Sequence, residues 1–484
     1  MLSGECMDLI DSTSATRDLQ IFHTKNHSFS RFFTNVRDGY PELLRVALPL
    51  ILSTSSLTLT LFVDRLMLSW HGIADVAAVT PGGITYFTIC CFFQGTAQYT
   101  NALVALRHGA GDKIGCSRVV WQGIWFSLIS FPFLMASIPL GCWVLGNTGH
   151  APGLIELEKE YFRILMYSSV ALPLNAALSS FFSGRGRTMP VLVGNLIGNI
   201  GNIVLDYLLI FGNLGFPEMG IKGAAIATAA TNFFPTVYWA FLFLGKRFQR
   251  EFRTRQEVRL DKASFLTLLR FGLPSGAQFF LDIGAFTAFV LIVGKISETD
   301  LAVTNIALSI ETLSFLPMVG LSTATCAIVG KYIGSGKVDI AEQRVWCAIG
   351  IALLYTGTMA TFFWVAPEYL LKLFKPYQET QADFEPLMTR GVVLVRIIAV
   401  YTLFDTIFII FNGALKGAGD TRFAMWAQVI VAWVFFVPPV YVIVTYFEFG
   451  VFAAWFCLLL YVIGIGTIFW LRFRSGYWKS IQVY

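Results

Sequence analysis

Residues 246–262 read Lys-Arg-Phe-Gln-Arg-Glu-Phe-Arg-Thr-Arg-Gln-Glu-Val-Arg-Leu-Asp-Lys, the longest strongly charged stretch in the chain. Long apolar runs lie on both sides of it. Working outward, six runs precede it, at about 44–70, 76–106, 119–146, 161–183, 189–212 and 221–245. Six follow, at about 265–294, 300–330, 342–366, 388–414, 422–446 and 449–472. Each is long enough to cross a hydrocarbon layer as a helix, which takes about 20 residues. The charged stretch therefore reads as a linker between two bundles of six membrane helices.

Composition agrees. Of 484 residues, 56% are hydrophobic and only 13% charged, and Phe alone supplies 45. A soluble domain carries about 25% charged residues, so this chain lacks the means to wet a surface. A soluble enzyme, a disordered chain and a disulfide-stapled secreted domain are excluded. The fold class is an all-α integral membrane protein with twelve transmembrane helices in two pseudo-symmetric six-helix bundles. The net charge of +5 is spread over short loops, so no nucleic-acid partner is expected. The eight cysteines form no Cys-x-x-Cys pair, and neither a metal knuckle nor a redox motif is indicated. The first 40 residues are polar and carry no signal-peptide pattern.

Orientation follows from the connections. Arg107, Lys113 and Arg118 lie between spans two and three, Arg185 and Arg187 between four and five, and Lys331 and Lys337 between eight and nine. Lys416 and Arg422 lie between ten and eleven, and Arg472, Arg474 and Lys479 near the end. The alternate connections are neutral, acidic or mixed. Positive charge is retained on the cytoplasmic side, so both termini are expected there, in a plasma membrane. The expected organisation is an N-terminal tail over 1–40, a first lobe over 41–246, the linker over 247–263, a second lobe over 264–473 and a C-terminal tail over 474–484.

The two lobes repeat. Leu48-Pro49 answers to Leu273-Pro274, and Gly109-Ala110-Gly111 to Gly334-Ser335-Gly336, both at an offset of 225 residues. Tyr161-Phe162-Arg163-Ile164 answers to Leu394-Val395-Arg396-Ile397, and Gly184-Arg185-Gly186 to Gly417-Ala418-Gly419, both at 233. Six is an even number of spans, so the repeats are parallel, a plan that puts a transport path between halves.

Several stretches resemble one family. Phe182-Ser183-Gly184-Arg185-Gly186-Arg187-Thr188-Met189-Pro190, then Asn199, Asn202 and Asp206, then Gly223-Ala224-Ala225-Ile226-Ala227-Thr228, resemble the multidrug and toxic compound extrusion (MATE) family. So does Phe411-Asn412-Gly413-Ala414-Leu415-Lys416-Gly417-Ala418-Gly419-Asp420-Thr421. The resemblance covers about residues 40–470. It implies a two-lobed antiporter that exports organic cations in exchange for Na+ or H+, with no other cofactor.

Acids inside hydrocarbon are costly, and five lie well inside spans: Asp64, Asp206, Asp282, Glu311 and Asp405. Asp64 follows Arg45 by 19 residues and Asp206 follows Arg187 by 19, about 28 Å of helix in each case. Asp282 and Asp405 sit about 17 Å from their anchors Arg270 and Lys416. The acids thus pair by depth within each lobe. Asn195, Asn199, Asn202 and Asp206 recur at i, i+4, i+7 and i+11, one face of a helix. Carboxylate and amide oxygens suit a hard cation, and a carboxylate alone can carry a proton. The resemblance implies a cation site at Asp64, Asn202, Asp206 and Thr228, with Asn199 on the same stripe. The bland reading of Asn and Thr here is helix–helix hydrogen bonding.

In the second lobe Tyr401 and Asp405, at i and i+4, resemble the cation site of another branch of the family together with an acid in span seven. That acid is typically Glu there and is Asp282 here; the bland reading of both acids is a satisfied buried carboxylate. Glu311 has Tyr86 as its repeat partner, and both are candidates for a substrate cavity. Arg163 and Arg396 are expected to snorkel outward. No Walker spacing, nucleophile elbow or His-Glu-x-x-His occurs, so no enzyme chemistry is expected. A flippase or exporter of lipid-linked saccharide from the same superfamily, a membrane enzyme and a channel are the alternatives. The expected partners are lipophilic or cationic small molecules and the bilayer, with one chain acting as a monomer.

Overall fold

The computed structural model describes residues 39–374 and 381–483. Most of the expected N-terminal tail therefore lies outside the described residues. Among those described, every regular element is helical. The first half comprises α1 (Gly39–His71), α2 (Ile73–Gln98), α3 (Thr100–Gly109), α4 (Lys113–Ala136), α5 (Ile138–Gly146), α6 (Pro152–Tyr167), α7 (Ala171–Ser183), α8 (Met189–Phe211), α9 (Ile221–Thr231) and α10 (Phe233–Phe243). A short α11 (Lys246–Phe252) follows. The second half comprises α12 (Lys262–Val293), α13 (Glu298–Gly334), α14 (Val338–Val365), α15 (Pro367–Lys372), α16 (Gln381–Gly417), α17 (Thr421–Trp433), α18 (Val437–Thr445) and α19 (Val451–Arg474).

Nine described stretches are helical, long and apolar enough to cross a membrane, and the bent pair α6–α7 makes a tenth. The broken pairs α2–α3 and α9–α10 occupy the places of spans two and six, which completes twelve crossings in two sets of six. The breaks have partners. Asn175 donates to the carbonyl of Asn232 at 2.8 Å and accepts from Thr236 at 2.6 Å. It thereby ties the α9–α10 break to the helix that begins just after the α6–α7 bend. Backbone freed by a bend in hydrocarbon must be satisfied by a neighbour, and here each bend serves the other. The α6 helix begins at Pro152, nine residues before the apolar run suggested. Its first turns carry Glu156, Glu158, Lys159 and Glu160, and charge conceals a helix that projects beyond the apolar layer.

The halves meet through repeat-equivalent contacts. A Cβ on Gly95 would sit 3.1 Å from Gly276 Cα, and one on Gly320 would sit 2.8 Å from the Ile51 nitrogen. The same 225-residue offset relates 95 to 320 and 51 to 276. Helix α12 packs on α2 and α13 on α3, and α13 also crosses α1 at Gly320. At the basic face Glu42 of α1 accepts from Lys331 Nζ at 2.8 Å, Tyr332 Oη at 2.7 Å and Arg344 Nε at 3.0 Å, all from the second half. The halves are thus closed on each other at this face. An apolar core spans both, and a smaller one around Tyr86, Cys90, Tyr161 and Phe162 belongs to the first half alone.

The linker is not a free connection. Its backbone runs along α4, where Ser117, Trp121, Gln122 and Trp125 donate to the carbonyls of Phe252, Thr254, Arg259 and Val258 at 2.6, 2.6, 3.2 and 2.7 Å. Arg163 and Arg396 are exposed, and Arg396 covers the Trp364 ring at 5.8 Å.

Candidate functional site

Two acidic clusters lie inside the helices, one in each half. In the first, Asp64 projects from α1 and Asp206 from α8; both are buried, Asp206 completely. The carboxylates interact with each other electrostatically, and Tyr161 of α6 lies within reach of both. Asn202, one turn before Asp206, donates to Thr228 Oγ1 of α9 at 3.3 Å. That leaves the Asn202 carbonyl and the carboxylates as oxygen acceptors around one point where α1, α6, α8 and α9 converge.

The carboxylates are short of donors. Neither oxygen of Asp206 and not Oδ1 of Asp64 has a hydrogen-bond partner among the described residues. Buried polar atoms are satisfied in the great majority of cases, and unpaired buried charge costs several kcal/mol. Three orphaned oxygens on two carboxylates that interact electrostatically are the chemistry that a proton or a small cation relieves.

The rest of the α8 stripe has a different task. Asn195 bonds Ser53 Oγ, and Asn199 donates to Ser56 Oγ at 2.8 Å. These amides join α8 to α1 on the way to the carboxylates. Asn199, placed by its spacing with the cation set, therefore has a helix–helix partner, and lies about 10 Å along the axis from Asp206. Its spacing was legible; its partner was not, because Ser56 is one of several hydroxyls in an apolar run.

In the second half, Asp282 of α12 accepts from Gln428 Nε2 of α17 at 2.8 Å and from Tyr461 Oη of α19 at 3.4 Å. Gln428 also lies 2.7 Å from Tyr461 Oη. Tyr401 of α16 donates to Glu311 Oε1 of α13 at 3.1 Å. Asp405 is buried and interacts electrostatically with both Glu311 and Asp282. Lys416 places a positive charge in the surroundings of Asp282. The structure brings Asp282, Tyr401 and Asp405 together and adds Glu311, Gln428 and Tyr461. Gln428 was detectable as a lone amide in an apolar span. Tyr461 carried no signal among so many aromatics. Tyr86 is elsewhere: it is buried in the first half near Cys90, Tyr161 and Ser168. Glu311 lies beside Tyr401 in the second half, and Tyr86 belongs to the smaller core of the first.

The clusters differ. In the second, Asp282 and Glu311 each hold a donor; in the first, both oxygens of Asp206 and Oδ1 of Asp64 lack one among the described residues. No group of three or more His, Cys, Asp or Glu arranged to hold a metal ion occurs among the described residues.

Known proteins share this architecture. The chain is 26% identical over 444 residues, 91% of its length and 94% of the relative's, to a probable multidrug resistance protein NorM of Thermotoga maritima. It is 29% identical over 410 residues, 82% of each chain, to the multidrug resistance protein PmpM of Pseudomonas aeruginosa. An outward-facing structure of a multidrug resistance MATE family transporter superposes with a TM-score of 0.82 at 22% identity, covering 92% of this chain and 97% of the other. A MATE structure in complex with MaL6 gives the same TM-score and identity, covering 92% of this chain and 98% of the other. The MatE family model matches twice, over residues 49–208 and 274–442. Its two starting points are separated by the 225-residue offset of the internal repeat. With most of its length matched in both halves, the chain belongs to the MatE family.

Proposed function

We propose that this chain is a secondary active multidrug efflux antiporter. It exports lipophilic or cationic small molecules from the cytoplasm across the plasma membrane, both termini being cytoplasmic, in exchange for Na+ or H+. The names of the NorM and PmpM relatives support the drug-efflux part. The observation that carries the coupling part is the orphaned carboxylate pair Asp64–Asp206.

The coupling ion binds at that pair. Ion or proton between the carboxylates removes their repulsion, and the Asn202 carbonyl and Thr228 hydroxyl supply neutral oxygens when the ion is Na+. Drug and cation favour different arrangements of the two halves. External cation thus promotes release, and drug from the cytoplasm promotes return, as differential affinity for two conformations requires. The second cluster, whose Asp282 and Glu311 already hold donors, is a weaker candidate for the ion.

The test is drug efflux in proteoliposomes with Na+ and pH gradients imposed separately. Asp64→Asn and Asp206→Asn should each remove cation-stimulated release, with the double variant little worse than either. Small and simply additive defects would mean that the two residues do not share a site.

A further inference from the structure

At the closed basic face lies a cavity of about 370 Å³, away from both acidic clusters. Glu42 and Arg45 of α1, Arg185 and Arg187 of the turn between α7 and α8, and Lys331 of α13 line it. Four cations thus face one carboxylate. That carboxylate is committed to Lys331, Tyr332 and Arg344, so it does not neutralise the arginines. Arg45 and Arg187 have no ion-pair partner among the described residues, and both are exposed at the rim.

Arg185 is held differently. Its guanidinium stacks 3.8 Å from the Phe181 ring centroid, with Phe248 and Phe252 at 4.8 and 4.7 Å. Its Nε donates to the Phe181 carbonyl at 2.6 Å. Its Nη2 is buried and has no hydrogen-bond partner among the described residues. The side chain also lines the cavity, and a guanidinium fixed by aromatic faces holds its charge at the wall where a phosphate would bind.

We propose that this cavity binds a phosphate group, with Arg45, Arg185 and Arg187 as its donors. Because α13 of the second half completes the wall, the complete site exists only while the halves are closed at this face. A bound phosphate therefore favours that state, since a ligand shifts an equilibrium toward the form it binds. The phosphate comes either from an anionic lipid headgroup of the adjacent leaflet or from solution.

The effect on transport rests on the antiport reading; the binding does not, and it is read without drug or gradient. The full chain is purified and its thermal midpoint recorded in two series. One titrates inorganic phosphate against chloride at constant ionic strength. The other compares nanodiscs of phosphatidylcholine with nanodiscs containing phosphatidylglycerol. Arg45→Gln and Arg187→Gln, both at exposed positions, are run alongside so that half-buried Arg185 need not be altered. The expected result is a raised midpoint with phosphate, with phosphatidylglycerol or with both, weakened about 10-fold in apparent affinity by either substitution. Response to phosphatidylglycerol alone assigns a lipid headgroup; response to inorganic phosphate assigns the soluble ion. No response in either series, or equal responses in wild type and both variants, overturns the proposal.

Discussion

The carbonyl of Lys331 occupies the space that a side chain on Gly109 would need. Its repeat-related counterpart holds as well, for the carbonyl of Leu106 blocks a side chain on Gly334. Helices α3 and α13 therefore approach backbone to backbone at the basic face, and only glycine permits that approach. Glu42 stands beside this crossing and binds Lys331, so packing and charge close the same face.

Gly109→Ala and Gly334→Ala should each open that face, and by pseudo-symmetry to a similar extent. Gly357→Ala, in a helix and with no atom within 4 Å of the new Cβ, serves as the control and should gain about 0.5–1 kcal/mol from helix propensity. Glu42→Gln should act in the same direction as the two crossing variants. Its carboxylate is partly exposed, so about 1–2 kcal/mol is reasonable after discounting the buried-pair figure. Spin labels at 44 and 335 read the separation of the halves. Unchanged distances in all three variants would remove these contacts from the conformational equilibrium.

The amides of α8 divide by partner. Asn202→Ala and Thr228→Ala should weaken the cation dependence of release several-fold with little change in thermal midpoint. Asn199→Ala should cost about 1 kcal/mol of stability through its lost bond to Ser56, while leaving the cation dependence alone. Cation titrations of drug release, paired with thermal unfolding, separate the two effects. A cation defect in Asn199→Ala equal to that of Asn202→Ala would place Asn199 at the ion after all.

Much of this was legible in the residues. Apolar length located the spans, and basic connections grouped the ends of alternate helices. The 225-residue offset between Gly109 and Gly334 was legible as a repeat, and the fold turns it into a reciprocal contact. Depth along the helix brought Asp64 level with Asp206, because rise per residue is fixed once both anchors lie on one face. What escaped was lateral: Tyr161 beside the first acid pair, and Tyr461 beside Asp282, come from helices whose rotation is set by packing with neighbours. A period of 3.6 residues gives the face of each helix but not which face meets which. The α6–α7 and α9–α10 breaks escaped as well, since Asn175 and Asn232 read as ordinary polar residues until seen together. The linker was legible by its charge as a connection between the lobes, whereas its bonding to α4 is through backbone carbonyls, which charge patterns do not report.

That linker yields the last prediction. Trp121 and Trp125 of α4 donate to the carbonyls of Thr254 and Val258, and Asp261 caps α12 by accepting from the Ser264 nitrogen at 3.1 Å. The Ser264 hydroxyl and nitrogen together hold the Asp261 carboxyl below its usual range. A carboxylate lowered on folding contributes stability that is complete above its unfolded value, near 3.8, and is lost as pH falls through the lower folded value. The cap should therefore persist at neutral pH and weaken only in acid below about pH 4. Trp121→Phe and Trp125→Phe keep the ring and delete the donor, so each should loosen the strap at every pH. Limited trypsin digestion at Arg253, Arg255 and Arg259 measures this, because cleavage needs the backbone to leave α4. Cleavage at neutral pH should quicken about 5- to 10-fold per tryptophan, one hydrogen bond's worth, and further in the double variant. Asp261→Asn should cut faster than wild type only above that acid range. Equal rates in wild type and both tryptophan variants would show that the strap is held by something other than these bonds.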